Sequence, residues 1–334
     1  MILTVTLNTA LDLTYSVPAL VPHTSHRVRE TSERPGGKGL NVARVLSALG
    51  HDTVVTGFAG GPTGALLREL LATAAPSAAG PVTDALVDSG PVTDSPVDST
   101  PVTDALITVA GNTRRTIAVA DRATGDTTQL NEPGPQIAAD EWAALLSRYE
   151  ELLPGADAVA LCGSLPPGIH VSAYAELVRA ARAAKVPVLL DTSGEPLRRG
   201  IAARPDLIKP NTEELAQLTG AQEPARATRD ARRRGAHGVI ASLGPDGLLA
   251  LVPEGSWRAR PPAPVRGNPT GAGDSAVAGL LSGLVEGLSW PDRLRRAVAL
   301  STATVLSPTA GDFDRAAYEE LLPRVVVEEH APAA

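Results

Sequence analysis

Aromatic side chains are scarce in this chain: three Trp, four Tyr and two Phe make up 3% of its 334 residues. Surfaces that stack on nucleobases or sugar rings are therefore not expected. Cysteine is scarcer still. Cys162 stands alone in the apolar run Ala158 to Cys162 and reads as a core residue. One thiol allows no internal disulfide, which suits a reducing, cytoplasmic setting. The six histidines show no metal-ligand spacing, so no structural zinc is expected. No run nears the ~18 apolar residues of a membrane helix. Residues 1–7 are too short for a signal peptide and lack its positive flank. Basic clusters are also lacking at a net charge of −7. The longest basic run is Arg232-Arg233-Arg234, closing a helix-like stretch where cations suit the helix C-terminus. Neither nucleic acid nor a membrane is an expected partner.

What is plentiful is aliphatic: hydrophobic residues reach 43%, mostly Ala, Leu and Val, enough for a large core. Residues 2–7 read as a short buried strand. Val42, Val45, Leu46 and Leu49 recur at helical spacing and stop at Gly50. A strand-like run from Thr53 to Phe58 follows, and Leu66, Leu67, Leu70 and Leu71 mark another helix. Strands are expected at 157–162, 186–191 and 237–242, with helices at 171–184, 212–219 and 225–234. Helices near 273–288, 291–306 and 314–328 end the chain. Such alternation predicts an α/β fold, a doubly wound and mostly parallel sheet with helices on both faces.

Two regions break the alternation. Residues 12–34 and 101–131 are polar and strand-rich, and are expected to pair as a small antiparallel sheet forming a lid. The main domain would then comprise 1–11, 35–80 and 132–334. Between them Pro-Val-Thr-Asp recurs from Pro81, Pro91 and Pro101. Copies this short cannot bury a solenoid core, so 81–104 reads as an expanded linker into the lid.

The motif richest in chemistry is Asn268-Pro269-Thr270-Gly271-Ala272-Gly273-Asp274, ahead of a helix-like run. Gly271, Ala272 and Gly273 leave backbone N–H groups uncovered at a helix N-terminus, a setting for developing negative charge. A carboxylate repels bound phosphate, so Asp274 makes sense there as a base for an attacking hydroxyl. A plain capped turn would use the same residue types. Gly36-Gly37-Lys38-Gly39-Leu40-Asn41 combines close backbone approach, a mobile cation and an amide able to cap the following helix. It is not a Walker A loop, because no Ser or Thr follows the lysine. In Lys209-Pro210-Asn211-Thr212-Glu213-Glu214, Asn211 and Glu214 have the spacing of a capping box, compatible with service to magnesium. Ser242-Leu243-Gly244-Pro245-Asp246-Gly247 joins two strand-like runs as a turn that a nucleotide could approach.

Taken in order, these motifs and the opening Thr6-Leu7-Asn8, Asp12 and Gly163-Ser164-Leu165-Pro166 resemble the PfkB (ribokinase-like) carbohydrate kinases. The likeness runs to the Ala310-Gly311 region and favours the 1-phosphofructokinase and tagatose-6-phosphate kinase branch. It implies an ATP- and Mg2+-dependent enzyme with Asp274 as base. Asp12, Gly37, Lys38, Asn41 and Ser164 would hold the sugar, and Arg114 its phosphate, with Lys38 sharing that grip. Lys209, Asn211, Ser242, Leu243, Gly244 and Gly247 would lie at ATP, with Asn211 and Glu214 linked to the metal. A homodimer through the lid is the expected assembly. Arg115 and the ten-residue repeat depart from the family pattern. A kinase of an unphosphorylated sugar or nucleoside, and a non-catalytic sugar-phosphate sensor, are the alternatives; Arg114 weighs against the first and an intact Asp274 against the second.

Overall fold

The computed structural model describes residues 1–73, 101–307 and 311–330. Its first part runs β1 (Ile2–Thr6), β2 (Ala10–Val17), β3 (Glu30–Gly36), α1 (Lys38–Ala48), β4 (Thr53–Gly60) and α2 (Gly61–Thr73). After residue 100 come β5 (Thr103–Asp104), β6 (Ile107–Val109), β7 (Arg114–Asp121), β8 (Thr127–Asn131) and α3 (Ala139–Leu152). The alternating centre holds β9 (Ala158–Cys162), α4 (Ala173–Ala183), β10 (Val188–Asp191), α5 (Gly194–Ala202), β11 (Leu207–Ile208), α6 (Thr212–Thr219) and α7 (Pro224–Arg233). The remainder is β12 (Gly238–Ser242), β13 (Leu248–Val252), β14 (Gly255–Arg260), α8 (Ala272–Val285), α9 (Trp290–Leu306), α10 (Arg315–Leu321) and β15 (Val326–Glu329).

Among the described residues, eleven strands form one sheet in the order β15-β14-β13-β12-β11-β10-β9-β1-β4-β5, with β6 also on β4. From β12 through β4 every pairing is parallel, and β13 to β15 extend the sheet antiparallel. Alternation along a strand sends successive side chains to opposite faces. In β9, Val159 and Leu161 join the core under α3 to α7, while Ala158, Ala160 and Cys162 join the core under α1, α8 and α9. Burial on both faces explains the unbroken apolar runs of these strands. The doubly wound expectation is met.

The second sheet has the order β3-β2-β7-β8. It is mixed and not antiparallel as expected, because β2 and β7 run parallel. Residues 103–109 do not join it: β5 and β6 pair with β4 in the large sheet, and Arg68 holds Asp104 there in an ion pair. Most of the 81–104 repeat lies outside the described residues; only its last copy, ending in β5, is within them. The helix expected over 314–328 stops at Leu321, and 326–329 form β15. Pro323 supplies no N–H to continue an α-helix, and Val325-Val326-Val327 is β-branched.

Candidate active site

Parallel strands of a doubly wound sheet deliver their C-terminal ends to one rim, where ligands bind. Here that rim carries Asn8 after β1, Ser164 after β9, Asp191 closing β10, Lys209 after β11 and Ser242 closing β12. The small sheet rises from the same rim, since β2 follows β1 by three residues and β3 runs straight into α1.

Asp274 lies in the first turn of α8, 7% exposed. Gly271 caps that helix at φ 85°, a left-handed conformation open to glycine. Asn41 reaches over from the first turn of α1 and donates through Nδ2 to Asp274 Oδ2 at 2.9 Å. The expected capping role of Asn41 is not seen, because α1 begins earlier, at Lys38, with Gly37 at its cap. Burial pushes the Asp274 carboxyl up to about 6; Lys38 opposes the rise, the Asp191 carboxylate adds to it, and Asn41 and Lys209 oppose it. Such a group can take a proton near neutral pH.

Two lysines flank this carboxyl through a second, buried carboxylate. Asp191, with its side chain 1% exposed, meets Lys38 Nζ at 3.3 Å and Lys209 Nζ at 3.5 Å. The first contact is a hydrogen bond; the second is an ion-pair contact without hydrogen-bond geometry. Asp191 is the main reason the Lys38 ammonium is held above its ordinary range, against burial and with help from Asp274 and Glu214. A Cβ on Gly273 would lie 3.5 Å from Lys209 Nζ, so that ammonium borders the α8 turn. The N–H of Ala272 is spent inside the turn, donating to Pro269 O at 3.1 Å. Those of Gly273 and Asp274 are first-turn donors with no acceptor inside the helix. Two cations and a helix N-terminus beside a buried carboxyl that can take a proton are suited to a polyanion and a hydroxyl that attacks it.

The profile of the pfkB family carbohydrate kinases matches residues 5–75 and 99–316. The chain belongs to this family. Phosphofructokinase-2 from Escherichia coli, in complex with fructose-6-phosphate, is 28% identical with a TM-score of 0.79 over 96% of this chain and 98% of that one. Its tetrameric inhibited form superimposes with a TM-score of 0.80 at the same identity and coverage. A possible 1-phosphofructokinase from Thermotoga maritima is 26% identical, with a TM-score of 0.81 over 99% of each chain. As a PfkB kinase the chain is an ATP-dependent sugar kinase.

Within this sugar kinase the nucleotide-side residues expected from sequence are adjacent. Asn211 caps α6: its Oδ1 accepts from Glu214 N at 2.8 Å, and Glu214 Oε2 accepts from Asn211 N at 2.9 Å. Asn211 also bridges Ser242 in parallel register, and Ser242 N donates to Pro210 O at 2.9 Å. Leu243 N then closes on Gly247 O at 2.8 Å, folding Gly244 into a tight turn. No group of three or more His, Cys, Asp or Glu that could hold a metal occurs among the described residues. Glu214, whose second oxygen is not part of the cap, fits a magnesium carried mainly by nucleotide phosphates and water rather than a protein cage.

On the other side of the cleft, Asp12 projects from β2, and a Cβ on Gly36 would overlap its carboxylate at 2.1 Å. Burial raises Asp12 to about 6, against Arg114, a Thr116 hydrogen bond and Arg44. Arg114 opens β7 and donates from Nε to Asn8 O and from Nη1 to Glu132 O, both at 3.2 Å. Lys38 therefore faces Asp191 and Asp274 while Arg114 faces Asp12, so the two cations expected to share one phosphate have different surroundings. Ser164 is exposed and accepts from Asn8 Nδ2 at 3.1 Å.

Sequence reasoning missed Asp191 and the trio Arg34, Arg44 and Asp312. Asp312 pairs with Arg34 of β3 and with Arg44 of α1, tying the small sheet to the segment packed on Gly271. The only local signal for Asp191 was a charge ending the apolar run Val188-Leu189-Leu190.

Proposed function

We propose that this sugar kinase moves the γ-phosphate of ATP to a hydroxyl of a ketohexose monophosphate, fructose 1-phosphate or tagatose 6-phosphate, giving the 1,6-bisphosphate. The observation that carries the reading is the buried Asp274, held by Asn41 and flanked by Lys38 and Lys209 at the head of α8. Asp274 takes the hydroxyl proton as the oxygen attacks. Lys38 and Lys209 balance the charge of the phosphate in transit, and the N–H groups of Gly273 and Asp274 meet its oxygens. Glu214 and Asn211 would face a bound magnesium, which would supply neutralisation of the nucleotide's phosphate charge. The turn from Ser242 to Gly247 borders the nucleotide.

Arg114, in the electrostatic reach of Asp12, supports a substrate that already bears a phosphate. The fructose-6-phosphate complex of the Escherichia coli relative supports the same class of substrate. Val28 and Leu130, 41% and 58% exposed on the small sheet side, suit a homodimer through that sheet, and light scattering tests it. The single buried thiol suits a reducing cytoplasm. The deciding assay couples ADP release to absorbance across fructose, ribose, nucleosides, fructose 1-phosphate, fructose 6-phosphate and tagatose 6-phosphate. Turnover confined to sugar phosphates supports the reading. Turnover confined to neutral sugars replaces it with the unphosphorylated-sugar alternative, and silence with every compound replaces it with the sensor.

A further inference from the structure

We infer that Asn8 is a positioning residue that fixes the polarity of Ser164, so that this hydroxyl reaches the sugar as a hydrogen-bond donor. The inference rests on the kinase reading above and on the family resemblance, which implies that Ser164 holds the sugar. Asn8 occupies the first of the connections between the two sheets, between β1 and β2, and is 6% exposed. Its Nδ2 donates to Pro133 O at 3.1 Å and to Ser164 Oγ at 3.1 Å. Its own carbonyl accepts from Arg114 Nε at 3.2 Å. A Cβ on Gly134 would lie 2.2 Å from Asn8 Oδ1, so the returning chain closes over the amide. Asn8 thus touches the chain that leaves β8 as well as two residues expected at the substrate.

The orientation of the amide is decided by chemistry. A carbonyl such as Pro133 O can only accept, so the Asn8 atom facing it must be the NH2. That NH2 supplies its second hydrogen to Ser164 Oγ. An oxygen that accepts from Asn8 cannot also turn its proton toward it, so the Ser164 O–H is left to point away into the cleft. A substrate oxygen there meets a donor, and an acceptor-only group is as welcome as a hydroxyl. Asn8 Oδ1, buried without a partner among the described residues, carries the desolvation cost of this arrangement.

Asn8→Asp keeps the shape but replaces the donor with an acceptor, which repels Pro133 O and draws the Ser164 proton inward. The expected result is a roughly tenfold higher KM for the sugar phosphate, with the ATP KM within about twofold of wild type. In a Ser164→Ala background the same change should add less than about twofold, because the hydroxyl it acts through is gone. Equal KM losses with and without Ser164 would overturn the inference, since they would report charge or distortion rather than polarity.

A second readout needs no change at Asn8. Deoxy and deoxyfluoro sugar phosphates are compared at each hydroxyl position, because fluorine accepts a hydrogen bond but cannot donate one. One position should bind better as fluoro than as deoxy in wild type, and that advantage should vanish in Ser164→Ala. No such position, or an advantage that survives Ser164→Ala, overturns it. Absence of sugar-phosphate turnover in wild type brings down the kinase reading and this inference together, whereas turnover without these effects brings down the inference alone.

Discussion

The residue on which the proposed chemistry most depends is Asp274. Asp274→Asn should lower turnover by roughly two to four decades while sugar and ATP still bind, as for a positioned proton acceptor. Retention of more than a tenth of the rate, with chemistry limiting, would leave it a helix residue. Because the carboxyl is raised to about 6 from 3.8, kcat/KM should fall as pH drops through about 6, where the base becomes protonated. Stability runs the other way. The folded state binds more protons than the unfolded one between about pH 4 and 6, so stability declines as pH rises through that window. At neutral pH Asp274→Asn should therefore be more stable, by up to about 3 kcal/mol, read from its urea midpoint. A destabilised variant would contradict the burial argument. Arg114→Ala should weaken sugar phosphate by about 1.5–3 kcal/mol with little effect on ATP KM. Arg115, paired with Glu132 at the surface, is its control and should cost much less. Equal losses toward fructose and fructose 1-phosphate would make Arg114 a brace of the small sheet. Asp274 and its glycines were legible because the signal is local, a few adjacent residues ahead of a helix. Asp191 was not, because its meaning comes from Lys38, which lies 153 positions away in sequence.

At the scale of elements, α6 separates structure from chemistry. Its capping box holds Asn211 and Glu214 to each other's backbone. Glutamine retains an oxygen for Asn211 N, so Glu214→Gln should keep the cap and shift the melting temperature little. Removing the charge should nevertheless raise the magnesium concentration for half-maximal rate, with sugar KM unchanged. An unmoved magnesium profile alongside lost thermal stability would reduce Glu214 to a cap. The parallel strands and their helices were readable because apolar runs and 3.6-residue stripes are written into each segment. Two elements were not. Alternation in β2 and β7 tells which side chains share a face but not whether the strands run parallel, which the connections decide. Over 314–328, Leu321, Leu322 and Val325 keep a helix-like spacing, and Pro323 interrupts it.

For the whole molecule, the repeat offers a clean test. Its third copy leads into β5, where Thr103 and Asp104 pair with β4. Thr73 and Val102 line the same surface cleft, so the two ends of the intervening chain lie close together. Removing 81–100 keeps residues 74–80, which can span up to about 23 Å when extended. Since closure entropy changes slowly with loop length, melting temperature and kcat should stay near wild type. A fall of more than about 5 °C would show that the deleted copies contribute packing of their own. The one-sidedness of the sheet has a practical consequence as well. Every group assigned to the reaction sits at the rim where the parallel strands finish or on the small sheet that rises from it, and the turns at Gly50–Asp52, Lys185–Pro187 and Gly235–His237 lie where strands start. A dye, an epitope or a bead fastened there would have the whole sheet between itself and the substrates. The protein could be tethered by its back and still work from its front.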